Sequence, residues 1–186
     1  MAITLFPDGR IQKNGLEIGT QQGSGLMHQS WYLTAQFTTS AVNSDNFVTG
    51  WAKLSPANVQ YASIDTGEDM SVSSGVFTFP STGIYEVVSK VAGSRSGGSN
   101  KYCNWRTFMS VDSGNTYNIR DQGSSCMTNF SGTNTINIYA PTILNITNAS
   151  TTRLRFGTYG GNNNFTIAAG GFGTTVTFRK LSVNTM

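Results

Sequence analysis

From residue 29 onward the chain alternates apolar and polar positions in short runs separated by turn clusters. "SWYLTAQFTT" (30–39), "NVQYASI" (58–64), "SVSSGVFTF" (71–79), "IYEVVSKVA" (84–92) and "NWRTFMSV" (104–111) make up the first half of this series. "TYNIR" (116–120), "TNTINIYAP" (133–141), "TRLRFGTY" (152–159), "NFTIAA" (164–169) and "TTVTFRKLSV" (174–183) make up the second. A period of two places alternate side chains on opposite faces of a strand. The clusters between the runs, Asp65-Thr66-Gly67, Ser113-Gly114-Asn115 and Gly160-Gly161-Asn162, are turn chemistry at the spacing of a sandwich or barrel. No run sustains a helical period. The pattern predicts an all-β body over residues 26–186.

The first 25 residues read differently. "ITLF", "RIQK" and "LEI" are very short strands joined by Pro7-Asp8-Gly9 and Asn14-Gly15, both tight-turn signals. Strands this short bury no core of their own, so Ile3, Leu5, Phe6, Ile11, Leu16 and Ile18 need another surface to lie on. "GTQQGSG" (19–25) follows as a Gly- and Ser-rich hinge. Residues 1–25 are therefore expected to be an attachment arm whose strands add to another protein.

The stretch "GVFTFPSTGIYEVV" (75–88) joins two alternating runs through a corner. Phe77 and Phe79 share one face, and Pro80 lacks the donor needed to continue a ladder. Gly83 supplies backbone freedom for the corner. Tyr85, Val87 and Val91 then point inward, with Glu86 and Lys90 outward. The spacing of Gly75, Phe77, Pro80, Gly83 and Tyr85, G-x-F-x-x-P-x-x-G-x-Y, resembles the signature of the complement globular-head domain, a branch of the tumour necrosis factor-like superfamily. "GGFGTTVTFRKL" (170–181) resembles that family's closing strand. The resemblance covers roughly residues 29–182 and implies a jelly-roll β-sandwich that assembles as a homotrimer. A collagen-like stalk is missing, and the hairpin arm stands where the stalk would be. That departure is similar to phage virion proteins, in which such knobs decorate capsids or tip tail fibres.

Composition narrows the chemistry. With 12 cations, 9 anions and a net charge of +3, the 186-residue chain carries no dense basic stripe, which argues against nucleic acid. No run has the length of a membrane span or a signal peptide, so synthesis in a host cytoplasm and residence on a virion surface, without membrane insertion, are expected. His28 is the one histidine and lies beside the hinge, a poor seat for a catalytic triad. His28, Cys103 and Cys126 have no zinc-ligand spacing. The two cysteines are expected as free thiols on neighbouring strands, with pairing left open. Asp65, Glu68 and Asp69 in "DTGED" offer carboxylates to calcium, but an ordinary solvated turn is the preferred reading. Neither a catalytic residue, a metal nor a cofactor is assigned.

Two segments read as candidate recognition loops. "GSRSGGSNKYCNWR" (93–106) carries Arg95, Tyr102 and Trp105, and "TYGGNNNF" (158–165) carries Tyr159, Asn162, Asn163 and Asn164. Aromatic faces and amides are the chemistry of glycan recognition. The leading expectation is a non-enzymatic homotrimeric virion knob, held by residues 1–25 to a capsid or other virion protein as decoration. The alternative is a tail-fibre tip that grips a host surface glycan. A polysaccharide-cleaving enzyme stands third.

Overall fold

The computed structural model describes residues 3–5, 10–13, 16–20, 27–39, 43–54, 67–98, 101–127, 130–160, 165–171 and 173–182, with backbone alone for 3–5, 10–13, 16–20, 96–98, 101, 127, 130–134 and 182. The described residues form strands and turns without a helix. Three strands, β1 (Ile3–Leu5), β2 (Arg10–Lys13) and β3 (Leu16–Thr20), pair in sequence as a separate antiparallel sheet. This is the strand pattern expected of the arm. Phe6 and the hinge at 21–25 lie outside the described residues, as does the expected strand at 58–64.

The body is a sandwich of two antiparallel sheets. The seven-stranded sheet contains β4 (His28–Leu33), β5 (Phe37–Thr38), β7 (Trp51–Lys53), β10 (Gly83–Gly98), β13 (Phe130–Ile146), β15 (Thr166–Ile167) and β16 (Thr175–Ser182). The six-stranded sheet contains β6 (Asp45–Phe47), β8 (Ser71–Ser73), β9 (Val76–Thr78), β11 (Lys101–Ser110), β12 (Asn118–Met127) and β14 (Arg153–Gly160). In the seven-stranded sheet β10 is the spine. It pairs with β13 along one edge, and with β16 and then β15 along the other. The chain changes sheet at β5 to β6, β6 to β7, β7 to β8, β9 to β10, β10 to β11, β12 to β13, β13 to β14 and β14 to β15, which gives a jelly-roll sandwich.

The inward positions are mostly aromatic. Trp105 stacks on Phe156 with centroids 5.8 Å apart and planes 15° from parallel. Trp51 meets both edge-on, and Phe77 touches Phe156 at 5.7 Å and Phe178 at 5.0 Å. Each of these rings is buried. Such pairs add about 0.5–1.5 kcal/mol each beyond the area they bury.

The corner motif can be read atom by atom. Phe77 and Phe79 point into the core, and β9 stops two residues before Pro80. Gly83 has φ +151°, a backbone that side-chain-bearing residues rarely adopt. The Tyr85 hydroxyl, at the end of a buried ring, donates to the Ser81 carbonyl at 2.9 Å and closes the corner. Burial pushes the Tyr85 phenol up, since its anion would be poorly solvated there.

Three expectations change. "SVSSGVFTF" is a hairpin rather than one strand: Ser73 faces Val76, and Ser74 and Gly75 turn with φ of +50° and +80°. Two positive φ values in a two-residue loop match the right-handed twist of the flanking strands. "SWYLTAQFTT" divides into β4 and β5. Residues 93–98 and 101–106 belong to β10 and β11 rather than to a loop, because a long ladder to β13 and β14 outweighs their Gly and Ser content; residues 99 and 100 lie outside the described residues.

Gly75 also leaves no room for a side chain, since a Cβ there would lie 2.5 Å from the Val48 carbonyl oxygen. Gly75→Ala is expected to cost about 2–3 kcal/mol, from backbone strain plus the clash. The urea midpoint should fall at unchanged slope; an unchanged midpoint would show that the hairpin tolerates a side chain.

Candidate functional site

Three surfaces carry the side chains of interest. The first lies where the acidic cluster was expected. Buried Gln29 on β4 donates from Nε2 to the Glu68 carbonyl (3.2 Å) and to Asp69 Oδ1, while its Oε1 accepts from the Met70 amide (3.0 Å). The Lys53 ammonium pairs with Asp69 at 2.5 Å. The Lys180 ammonium, almost fully buried, donates to Ser81 Oγ (2.6 Å) and to Glu68 Oε2 (3.3 Å). Ser81 Oγ also bonds the Glu68 carboxylate. Glu68 and Asp69 are thus clamps that tie residues 67–70 to β4, β7 and β16. Asp65 lies outside the described residues. Among the described residues no three His, Cys, Asp or Glu side chains group as metal ligands.

The second surface is the outer face of the six-stranded sheet, where strand alternation sets out a cation–aromatic ladder. On β11, Tyr102, Asn104, Arg106 and Phe108 face outward; on β14, Arg153, Arg155, Gly157 and Tyr159 do so. The Arg106 guanidinium lies 3.9 Å from the centre of the Tyr159 ring, and Tyr159 stacks with Tyr102 at 6.3 Å and 25°. Arg106 also bonds Asp45 (2.8 Å) and Gln122 (2.7 Å). Further along β14, the Arg155 guanidinium sits between Phe47 (3.3 Å) and Tyr117 (3.8 Å). A side chain at Gly157 would meet Phe108 and Phe47 at 3.2 and 3.3 Å, so glycine leaves room for the two rings to pack edge to face over the sheet, 5.2 Å apart.

The two candidate recognition segments therefore converge through Tyr102 and Tyr159, on adjacent strands. Other candidates separate from them. Trp105 is fully buried in the core, and Arg95 is buried with its guanidinium 5.7 Å from the Phe165 ring, so neither presents a contact surface. Both occupy inward positions of long strands. Asn162, Asn163 and Asn164 lie outside the described residues. Arg155, Phe47 and Tyr117 were missed because they come from three segments that only the sheet brings together. Cys103 and Cys126 sit on paired strands one register position apart, hence on opposite faces. Cys103 is buried, its thiol pushed up to about 12 by desolvation, whereas Cys126 is exposed; both are free. His28 lies in β4 opposite Arg179.

The third surface is the outer face of the seven-stranded sheet. Along β13, Tyr139 (63% exposed), Pro141 and Ile143 (59% exposed) form an apolar row beside Val88 of β10. Leu181 is exposed on β16, and the one described ion pair on this face joins Arg179 to Glu86 at 3.0 Å. An open depression beside Tyr139 is lined by Lys90 and Asn137.

No family profile matches the chain, and no curated protein does so at a significant level. Solved structures do match in fold. The Eiger tumour necrosis factor of S. frugiperda superposes with a TM-score of 0.61 at 10% identity, covering 87% of this chain and 96% of that one. Murine APRIL at pH 5.0 gives 0.58 at 12% identity over 84% of this chain and 99% of its own. The globular domain of zebrafish complement 1qA gives 0.52 at 16% identity over 85% and 99%. The chain has the jelly-roll fold of the tumour necrosis factor and complement globular-head domains. At these identities the likeness is one of fold.

The Glu68 carboxyl is held below its ordinary value of 4.5, mainly by the Ser81 hydrogen bond and further by Lys180. A depressed carboxylate stabilises the fold above its unfolded value and loses that contribution as pH falls through the folded value. Glu68→Gln should cost about 1 kcal/mol at pH 7, a figure discounted for the partial exposure of the carboxylate. The difference from wild type should close below pH 4.5 in denaturation series. A gap that is constant with pH would rule out the charged form of Glu68 as its source.

Proposed function

We propose that this protein is a non-enzymatic, homotrimeric knob on a phage virion surface, attached through residues 1–25 and serving as capsid decoration. The observation that carries the self-association is the apolar row Tyr139, Pro141 and Ile143 on an outer sheet face, next to Val88 and with few charges. Exposed apolar rows of this kind are costly in water and mark protein contact surfaces. A jelly roll of the tumour necrosis factor class supports a three-fold arrangement. The arm supplies the attachment: β1–β3 form their own small sheet, and Ile3, Leu5, Ile11, Leu16 and Ile18 are its apolar residues. Three arms on one knob bind multivalently, so weak individual contacts give firm attachment. A second reading, a tail-fibre tip, is favoured by one observation, the Tyr102–Tyr159 pair on the opposite sheet face.

Light scattering on the full chain should give three times the 20.0 kDa chain mass. The double variant Tyr139→Asp, Ile143→Asp should shift that mass to the monomer while the β circular-dichroism signal stays unchanged. A monomeric wild type would overturn the trimer. Immunogold labelling of particles distinguishes the sites: label over the head supports decoration, label at the tail makes the protein an adhesin, and unlabelled particles refute the virion role.

A further inference from the structure

We infer that the outer face of the six-stranded sheet is a binding site for an acidic glycan, with the Arg155 guanidinium receiving a sugar carboxylate and the Arg106–Tyr159–Tyr102 ladder receiving the neighbouring sugars. Both flat faces of Arg155 are covered, by Phe47 at 3.3 Å and Tyr117 at 3.8 Å, so its remaining hydrogen-bonding capacity is at the guanidinium edge. The two rings hold the group in one orientation before any ligand arrives, which reduces the entropy lost on binding.

The charge balance of the face selects an anion. Asp45, the nearest carboxylate on β6, is taken by Arg106 at 2.8 Å. The Arg153 guanidinium donates to the Thr152 carbonyl (2.8 Å) and the Ala149 carbonyl (3.4 Å). Among the described residues Arg155 has no carboxylate partner, and its Nε has no acceptor. A partly desolvated guanidinium that feels Asp45 only from beyond ion-pair distance is a costly arrangement that an incoming carboxylate relieves.

The remaining groups select a sugar over a polynucleotide. Arg155 and Tyr159 lie four residues apart on one face of β14, about 13 Å along the strand, a distance suited to an oligosaccharide. Tyr102 and Tyr159 supply ring faces and hydroxyls, and Gln122, Asn104 and Ser124 stand beside them with amide and hydroxyl groups. Single-stranded nucleic acid uses a continuous cationic groove, whereas here Arg106 is neutralised by Asp45 and Arg153 is turned to the Thr152 and Ala149 carbonyls, which leaves Arg155 between two occupied guanidinium groups. The site lies on the opposite sheet from Tyr139 and Ile143, so it stays open in an assembly made through that row. It does not depend on where on a particle the knob sits.

Affinity electrophoresis of the full-length protein tests the site, with polygalacturonate, dextran sulfate, neutral dextran or a 20-mer of thymidine cast in the gel. Polygalacturonate is expected to retard the protein and dextran to leave it unmoved. Arg155→Gln should weaken the polygalacturonate retardation at least tenfold. Tyr159→Ala should weaken it several-fold. Arg179→Gln, on the other sheet, should leave it unchanged. Arg155→Lys keeps the charge but not the planar fork, and should behave like Arg155→Gln. Light scattering on each variant verifies fold and assembly, so a loss of binding is distinguished from a loss of the trimer. Equal retardation by dextran, unchanged binding in both Arg155 variants, or no retardation by polygalacturonate would overturn the proposal. Stronger retardation by dextran sulfate would overturn the choice of carboxylate, and stronger retardation by the oligonucleotide would overturn the choice of a sugar.

Discussion

The structure depends on the packing of large aromatic rings between two sheets. Phe77, Phe156 and Phe178 meet one another, and Trp51 and Trp105 close around them, with contributions from β7, β9, β11, β14 and β16. No pair of neighbouring strands supplies this set. The rings come together only when both sheets are formed and facing, so sandwich formation and core formation are one event. Rings pack to organic-crystal density in restricted orientations, which also fixes how the sheets lie over each other. Gly123 on β12 shows how close that approach is: a Cβ there would stand 2.5 Å from Ile138 on the opposite sheet.

This rigid interior leaves the outer faces free to differ. The seven-stranded sheet turns out a row of apolar side chains with few charges, and the six-stranded sheet turns out arginines stacked on rings. Both follow from alternation: residues that point away from a shared core are released from packing and take on the chemistry of whatever they meet. A scaffold that buries Trp105 and exposes Arg106, its neighbour in sequence, carries an apolar row and a cation–aromatic ladder on the outer faces of its two sheets. Neither face need move when the other is occupied. The polar clamp of Gln29, Glu68, Asp69, Ser81 and Lys180 does a different job, tying residues 67–70 across several strands with charge-assisted bonds.

Much of the fold was legible in the chain. Period-two alternation is a local property, so the all-β class and the inward residues of β10, Tyr85, Val87 and Val91, could be read directly. The corner at 75–88 was legible for the same reason, since Pro80 restricts the backbone and Gly83 frees it wherever they occur. The separate three-stranded sheet of β1, β2 and β3 followed from the turn dipeptides between its strands. The errors share a cause. Gly and Ser in segment 93–106 were read as loop chemistry, yet pairing with distant strands extended β10 and β11 through most of it and turned Arg95 and Trp105 inward.

By itself, then, the sequence determined the strand-forming character of the body, its turns, the corner and the short strands of the first twenty residues, because each rests on interactions between residues close together in the chain. Only the tertiary structure decided which strands became neighbours. That choice set Tyr102 against Tyr159, placed Arg155 between Phe47 and Tyr117, gave Glu68 and Asp69 to lysines, and put the two thiols on opposite faces. Those outcomes depend on sheet register between segments far apart in sequence, where a shift of one residue would exchange the inner face for the outer.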